Sequence, residues 1–260
     1  MDKNIEELIN EFKRISKKGW IESTSKSFGS IGLTFEKELG KEPDAKYLPD
    51  YNGIEIKCTS RFSRYPLYLF TIAFDGPTFP EINRIVSKYG WYDRDYKDKK
   101  VLFTKLKYNE KTIVNDKYKF KLEFDGEKEK LFLCVYDLKD KLIEKKSFVY
   151  TENIKQHFKT KLSILAIVYV SIKKIDNKKY FRYYKIEVYK ANSFDKFVEL
   201  FENDIINASL IARMNKSGID AGRYRNKNLV FQIDKKRIDA LFTKLYTYNA
   251  DSNKNQIKIM

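Results

Sequence analysis

A tight-turn signal followed by a strictly alternating segment, near residue 50, is the feature that most constrains the fold of this chain. Asn52-Gly53 is the dipeptide most typical of a two-residue hairpin turn. Residues 53–58 then alternate between apolar and polar, which predicts a β-strand with its isoleucines in the core. On such a strand Glu55 and Lys57 share the opposite face, and the turn returns Asp50 to the side of Glu55. The sequence therefore predicts two carboxylates and one ammonium group at one edge of a sheet.

Helical and strand patterns alternate along the rest of the chain. Apolar residues at three- and four-residue steps predict helices over residues 5–15, 30–39, 80–90, a segment from 152, 194–201 and 238–245. Period-two and continuous apolar segments predict strands over 53–58, 66–74, 101–108, 118–124, 131–136, 164–170, 180–189 and 229–233. The polar, glycine-containing residues 213–228 are expected to form a loop. This pattern indicates the mixed α/β class, with helices dispersed around a mainly antiparallel or mixed sheet.

The chain carries a large excess of positive charge: 52 Lys+Arg against 36 Asp+Glu among 260 residues give a formal net charge of +16. This excess favours a polyanionic partner, and nucleic acid fits better than a membrane surface because no lysine-rich amphipathic segment stands out. A single histidine and two cysteines exclude multi-histidine metal sites, zinc sites and a disulfide framework. The N-terminal residues contain no apolar stretch typical of a secretory signal, so we expect a cytoplasmic protein.

Asp50, Glu55 and Lys57 together suit metal-assisted hydrolysis of a phosphodiester bond. Carboxylate oxygens are ligands that Mg²⁺ prefers, and the bound metal polarises the phosphate and lowers the pKa of its water. A lysine beside them orients that water or balances the developing charge. Glu-x-Lys on a strand is common by itself, and a solvated hairpin that carries these residues without catalysis is the alternative interpretation.

The residues around this strand resemble the MutH and MvaI/BcnI group of PD-(D/E)XK endonucleases. The match runs through Ser30–Gly40, Pro49-Asp50 and Gly53–Lys57, in the order and spacing of that group. Weaker similarity continues through residues 64–67 and returns in residues 229–233. The resemblance implies a restriction-endonuclease-like fold, in which a mixed β-sheet is flanked by helices and two lobes surround a DNA cleft.

The resemblance also implies a role for each residue that matches the group's motif. Asp50 and Glu55 would bind Mg²⁺ together with the backbone carbonyl of Ile56, and Lys57 would position the attacking water. Glu36 matches the helix glutamate that completes this active site, and we favour it over the glutamate two positions later because it directly follows the Thr-Phe pair. Enzymes of this group leave 5′-phosphate and 3′-hydroxyl ends. Its restriction members act as monomers, and a restriction enzyme implies a cognate methyltransferase.

A basic segment near the C-terminus is the best candidate for DNA recognition. From residue 213 to 244 there are nine Lys and Arg against three Asp and Glu, although arginine is scarce elsewhere. Arginine suits bidentate contact with guanine, so we expect this segment to contact bases, with phosphate contact or a solvated loop as the alternatives. Arg61 and Arg64, just beyond the catalytic strand, are expected to contact phosphate. The candidate residues of the basic segment are Arg213, Lys216, Arg223, Arg225 and Lys227.

These observations predict one MutH-like endonuclease domain over residues 1–260, with a catalytic lobe over 1–150 and a DNA-recognition lobe over 151–260. The predicted activity is Mg²⁺-dependent, sequence-specific cleavage of double-stranded DNA, as in a type II restriction enzyme. Two alternatives stay open. One is a MutH-like nicking endonuclease of mismatch repair that depends on partners for activation, and the other is a DNA-binding module with a silent active site.

Overall fold

The computed structural model describes residues 2–25, 29–41, 48–60, 62–216, 218 and 220–252, with the side chains of 226 and 227 excepted. The helices within these ranges are α1 (Lys3–Lys17), α2 (Ser30–Glu38), α3 (Glu81–Tyr89), α4 (Thr151–Leu162), α5 (Phe194–Glu202) and a 3₁₀-helix (Lys235–Ala240). None of these described helices combines the length and the apolar character needed to cross a bilayer.

The strands mix short and long segments, and together with the helices they confirm the mixed α/β class. Their bounds are β1 (Ile21–Glu22), β2 (Ile54–Ser60), β3 (Leu67–Ile72), β4 (Trp91–Tyr92), β5 (Lys100–Leu106), β6 (Thr112–Val114), β7 (Tyr118–Phe124), β8 (Lys130–Tyr136), β9 (Leu142–Tyr150), β10 (Ile164–Ile175), β11 (Lys178–Ala191), β12 (Ile206–Met214), β13 (Tyr224–Ile233) and β14 (Phe242–Asn249).

The chain divides into two compact units, and each is assembled from separated stretches of sequence. The first unit comprises Met1–Tyr65, Lys159–Asn192 and Phe242–Met260, and the second comprises Pro66–Phe158 and Ser193–Leu241. Each unit therefore takes chain from both sides of residue 150, where the predicted lobe boundary falls. The catalytic and recognition roles assigned to the lobes stay predictions.

The first unit is built on a mixed sheet with the strand order β1-β11-β10-β2, in which β14 also pairs with β11. β2 runs parallel to β10, with Ile54 opposite Ile164 and Ser60 opposite Val170. β10 and β11 form a long antiparallel hairpin. β2, the predicted catalytic strand, is therefore an edge strand among the described strands of this sheet, and no described strand pairs with its other side.

Helix α1 covers one face of this sheet. Its apolar residues recur at three- and four-residue steps, and burying them stabilises the helix against the sheet more than helix propensity does. The isoleucines of β2 belong to this core, as the alternating pattern predicts, so Glu55 and Lys57 lie on the opposite face. The core includes Ile5, Leu8, Ile9, Phe12, Ile15, Phe35, Ile54, Ile56, Ala166, Val168, Val170, Phe181, Tyr183, Ile186 and Val188.

The second unit contains two antiparallel sheets, β3-β13-β12-β5-β4 and β6-β7-β8-β9. Helix α5 packs aromatic rings on β13 of the first of these sheets, where Phe197 and Phe201 both lie 5.4 Å from the Phe231 ring. Arg84 of α3 joins the helix to the second of these sheets by donating hydrogen bonds to Glu144 at 2.5 Å and to Ser147 at 2.8 Å. Both of those residues lie on β9.

Two of the predicted elements are wrong. Residues 238–245 do not form a helix: the 3₁₀-helix ends at Ala240 and β14 begins at Phe242. Apolar residues here imitate the helical period, but Tyr246 and Tyr248 pack against the core of the first unit with the period of a strand, and aromatic and β-branched residues favour strands.

Residues 213–228 are not a loop throughout. Most of this segment continues β12 and β13 as an antiparallel hairpin, in which Arg213 lies opposite Arg225, and only the residues between Met214 and Tyr224 connect the strands. Residues 224–228 at the start of β13 read Tyr-Arg-Asn-Lys-Asn, so no alternation of apolar and polar residues marks them as a strand. The predicted elements also do not include strands β6 and β9 or nearly all of β12.

Candidate active site

The turn before β2 places Asp50 beside the strand. Asn52 and Gly53 both adopt the left-handed conformation, with φ of +42° and +83°, as the two-residue type I′ turn requires. The residues on either side of them exchange backbone hydrogen bonds of 2.7 and 2.9 Å. The reversed chain lets Asp50 Oδ2 accept a hydrogen bond of 2.9 Å from the N–H of Ile56. Asp50 thus lies where the sequence predicted it.

The same hydrogen bond shows how the Ile56 carbonyl is oriented. In a strand, the N–H and C=O of one residue point to the same side of the backbone. Because the N–H of Ile56 reaches Asp50, its carbonyl also points to the open edge of β2, away from β10. The Asp50 carboxylate and this carbonyl therefore share one edge of the sheet.

The side chain of Glu55 is buried, and its two carboxylate oxygens differ in their hydrogen bonding. Its side chain is only 6% exposed, and Oε1 accepts a hydrogen bond from Lys57 Nζ. Oε2 is buried and accepts no hydrogen bond within the described part of the chain, although Lys161 Nζ lies 3.3 Å away. A buried oxygen that lacks a hydrogen bond costs stability unless another group supplies the interaction. Glu55 is therefore suited to hold a cation.

Lys161 is the residue that the sequence analysis missed. It lies in the last turn of α4, its side chain is 15% exposed, and its Nζ donates a hydrogen bond of 2.6 Å to the Leu48 carbonyl, two residues before Asp50. Lys161 thus connects the segment leading to Asp50 with Glu55. No motif marks this lysine, because only the parallel pairing of β10 with β2 brings it to the site.

Helix α2 carries Glu36 to the same site. Phe35 anchors the helix in the core, with its ring 5.0 Å from that of Tyr183. Burial raises the pKa of Glu36, and the Asp50 carboxylate raises it further, while nearby lysines oppose both effects. Glu38 instead forms an ion pair of 2.6 Å with Lys18. The structure therefore brings Glu36 and not Glu38 into the electrostatic environment of Asp50.

The donor set fits a hard divalent cation. Asp50 and Glu55 could contribute two carboxylates and Ile56 a backbone carbonyl, and Glu55 Oε2, which accepts no hydrogen bond within the described residues, is a buried ligand atom. No group of three or more His, Cys, Asp or Glu side chains suited to a metal occurs among the described residues. A site of two carboxylates and a carbonyl does not need a third acidic side chain, since substrate oxygens and water supply the remaining ligands of Mg²⁺.

The predicted recognition residues fall into two groups by their surroundings. Arg213 and Arg225 are both exposed and lie directly opposite each other on β12 and β13. The Arg213 guanidinium stacks 3.7 Å from the centre of the Phe103 ring, which holds it in one plane. Two arginines side by side repel each other, so this pair is suited to an anionic or electron-rich partner.

The other residues of the predicted set are engaged with acidic neighbours or lie outside the described residues. Lys216 forms ion pairs with Asp93 and Asp95, and Arg223 forms one with Asp220 at 3.0 Å. The side chain of Lys227 and all of Arg61 lie outside the described residues, whereas Arg64 is exposed just after β2.

The fold is that of solved restriction endonuclease structures. The chain is similar to a restriction endonuclease MvaI–cognate DNA substrate complex, with a TM-score of 0.86, 24% identity, and coverage of 94% of this chain and 98% of that chain. It is also similar to restriction endonuclease MvaI in the absence of DNA, with a TM-score of 0.57, 20% identity and the same coverage of both chains.

The family follows from the sequence model that matches residues 9–242, that of the MvaI/BcnI restriction endonuclease family. The chain belongs to this family, and the enzyme class is type II site-specific deoxyribonuclease. This family match confirms the family that the sequence predicted. Among curated proteins, none matches this chain.

Proposed function

We propose that this chain hydrolyses both strands of double-stranded DNA at a specific sequence, with Mg²⁺ as cofactor, and leaves 5′-phosphate and 3′-hydroxyl ends. The single observation that carries this proposal is the grouping of Asp50, Glu55, Ile56 and Lys57 at the open edge of β2. Family membership supports the restriction activity. The cognate DNA substrate of the similar MvaI complex and the net charge of +16 support duplex DNA as the partner.

Asp50, Glu55 and the Ile56 carbonyl would hold the metal ion. Bound Mg²⁺ polarises the scissile phosphate and lowers the pKa of a coordinated water. Lys57 lies on the strand face of Glu55 and donates a hydrogen bond to its carboxylate, and this contact supports a role in which its ammonium group would orient the attacking water and balance charge on the phosphate. Glu36 lies in the same electrostatic environment, where it would orient a water molecule at the site.

Incubation of wild type and Lys57→Ala with unmethylated phage DNA tests this function. We expect discrete fragments from wild type in Mg²⁺ and none in EDTA, and intact DNA with Lys57→Ala. Lys3→Ala is the matched control, because Lys3 is an exposed lysine of α1, which packs on the opposite face of the sheet. This control should cleave as wild type does.

Other outcomes point to the alternatives. Nicked circular DNA without linear product would favour a nicking endonuclease, and binding without any cleavage would favour a silent module.

We also propose that the enzyme acts as a cytoplasmic monomer beside a cognate methyltransferase. Its mass in solution tests the first part, and protection of the phage DNA by methylation at the cleaved sequence tests the second.

We propose that Arg213 and Arg225 contact bases. Their exposure, their opposed positions and the stacking of Arg213 on Phe103 support this role. Replacing either with alanine should relax discrimination at one base pair and cost about 1–3 kcal/mol of specific binding. Arg223→Ala is the control, because Arg223 is already paired with Asp220. Sequencing of the cleaved ends measures the change, and unaltered specificity in both variants would contradict the role.

A further inference from the structure

The β10–β11 hairpin continues beyond the strand that carries the candidate active site. The last residue of β2, Ser60, is paired with Val170, whereas β10 and β11 remain paired as far as Ile175 and Lys178. We refer to residues 171–182 as the hairpin end. It contains five Lys and Arg and a single acidic residue. This projecting ribbon is thus strongly basic.

One lysine of the hairpin end, Lys173, shares a face with the candidate catalytic residues. Glu55 lies opposite Leu165, and Lys173 is eight positions further along β10, so an even number of residues separates them and both point to one side of the sheet. Eight residues of strand span about 27 Å. A DNA duplex that reaches Glu55 along this face therefore has its neighbouring backbone within range of Lys173.

Lys173 lies between aromatic rings. Its Nζ is 4.5 Å from the centre of the Trp20 ring and 5.7 Å from that of Tyr180, and Trp20 itself is 39% exposed. These contacts hold the lysine at the surface, and in the described part of the chain no carboxylate forms an ion pair with it. An ammonium group positioned in this way keeps its charge for an external anion.

Two further lysines oppose each other across the ribbon, on its other face. Lys174 lies directly opposite Lys179, and both side chains are exposed. Like charges in directly opposed positions destabilise a sheet. No ion pair of either lysine with an acidic side chain occurs within the described residues, whereas Lys178 pairs with Glu22 at 3.0 Å and Arg182 with Asp251 at 2.9 Å. An anion bound at the ribbon would remove this repulsion.

We propose that the hairpin end is a second DNA-binding site, which contacts the phosphodiester backbone of the duplex outside the segment that is cut. The inference rests on the proposed nuclease function, because it takes duplex DNA as the substrate. Lysine is a compact point charge suited to phosphate and not to bidentate base recognition. The contact therefore adds affinity that is independent of sequence and depends on salt.

The test compares two triple variants, each with three lysines replaced by glutamine. One is K173Q/K174Q/K179Q, which leaves the Lys178–Glu22 ion pair intact, and the other is K3Q/K13Q/K17Q on α1. Both lose the same charge, so they separate a local contact from the general effect of net charge. Binding to a duplex of about 36 base pairs in EDTA is measured over a series of salt concentrations.

The hairpin variant should bind about 10- to 100-fold more weakly than wild type at low salt. Its slope of log K against log salt should be smaller by about 1–3, since each phosphate contact contributes about 0.9 and Lys173 alone lies on the face of Glu55. The α1 variant should keep most of the wild-type affinity and slope, and thermal unfolding should show that both variants are folded.

Equal affinity and slope in the two triple variants would overturn the hairpin contact. That outcome differs from a failure of the proposed function, because the binding measurement in EDTA does not depend on cleavage. If the wild-type enzyme cuts phage DNA but the hairpin variant binds as the α1 variant does, the proposed function is retained and the hairpin contact is rejected. A wild-type chain that neither binds the duplex nor cuts phage DNA in Mg²⁺ would reject both.

Discussion

Two buried glutamates on the same face of one sheet differ in how their carboxylate oxygens are hydrogen-bonded. Glu55 and Glu187 are each 4% exposed, and each has two lysines beside it. Both oxygens of Glu187 accept hydrogen bonds: Oε1 from Lys185 and Lys244, each at 2.9 Å, and Oε2 from the Tyr169 and Tyr189 hydroxyls at 2.6 and 2.9 Å.

Glu55 has no equivalent of the two tyrosines, and its Oε2 accepts no hydrogen bond within the described residues. The hydrogen-bonding capacity of Glu187 is used inside the protein, so this residue stabilises the fold. The capacity of Glu55 is left partly unused, so this residue is available to a ligand. Burial and charge are alike at the two positions, and only hydrogen-bond satisfaction distinguishes them.

Replacing each glutamate by glutamine tests this difference most directly. Glu55→Gln should lower the single-turnover cleavage rate about 10³-fold or more, because it removes a charged metal ligand. Glu187→Gln should leave the rate of the folded enzyme within about twofold of wild type. Comparable losses of rate in both variants, measured well below the unfolding temperature, would remove the distinction between the two sites.

The loss of stability should be larger for Glu187→Gln than for Glu55→Gln, which is the reverse of the order expected for the cleavage rate. Burial alone would raise the pKa of Glu187, but hydrogen bonds from Tyr169 and the lysines outweigh it and lower the pKa to about 2. Because the folded-state pKa lies below the unfolded value of 4.5, the stabilisation is fully present above about pH 4.5 and is lost as the pH falls through about 2.

Urea unfolding at several pH values measures this effect. Glu187→Gln should lose roughly 2–4 kcal/mol of unfolding free energy at pH 7, and the difference from wild type should shrink steadily between about pH 4.5 and 2. Glu55→Gln should lose less than Glu187→Gln at pH 7. If the difference in unfolding free energy between wild type and Glu187→Gln does not change with pH, the charge of the Glu187 carboxylate contributes nothing to stability.

The two glutamates of α2 extend the comparison to the helix. Glu36→Ala should lower the cleavage rate about 10- to 100-fold, the usual effect of removing a group that orients ligands or water at a metal site. Glu38→Ala should leave the rate unchanged, because Glu38 pairs with Lys18 at 2.6 Å. Single-turnover rates at saturating enzyme measure the effect, and equal rates in the two variants would exclude Glu36 from the site.

The smallest expected effect concerns Lys161. Lys161→Met removes the ammonium group 3.3 Å from Glu55 Oε2 and the hydrogen bond to the Leu48 carbonyl. We expect the rate to fall about 10-fold. Lys159→Met is the matched control, since Lys159 is exposed on the same helix. If both variants cleave at the same rate, Lys161 is only a structural neighbour of the site.

The sequence predicts the part of the site that is local. Asp50, Glu55 and Lys57 lie within one turn and one strand, and a dipeptide that favours a type I′ turn together with a period of two is sufficient to place all three. Glu36 follows from the family pattern and not from periodicity. The roles of these four residues stay predictions, although the structure groups them.

The sequence does not predict what depends on distant pairing. Lys161 is more than a hundred residues from Lys57, and only the parallel β2–β10 register brings it to Glu55. Strand β14 resembles a helix in its apolar spacing, and its strand conformation depends on pairing with β11. In both cases tertiary contacts override the local pattern, and no local pattern contains those contacts.

The parallel pairing of β2 with β10 also has a consequence during synthesis of the chain. A nascent polypeptide that has passed residue 57 already contains Glu36, Asp50, Glu55 and Lys57, but the strand against which β2 forms begins only at Ile164. Contacts this distant in sequence form late in folding. A chain that ends before Ile164 therefore contains all four candidate residues but lacks the strand that pairs with β2, and we expect such truncated chains not to cleave DNA.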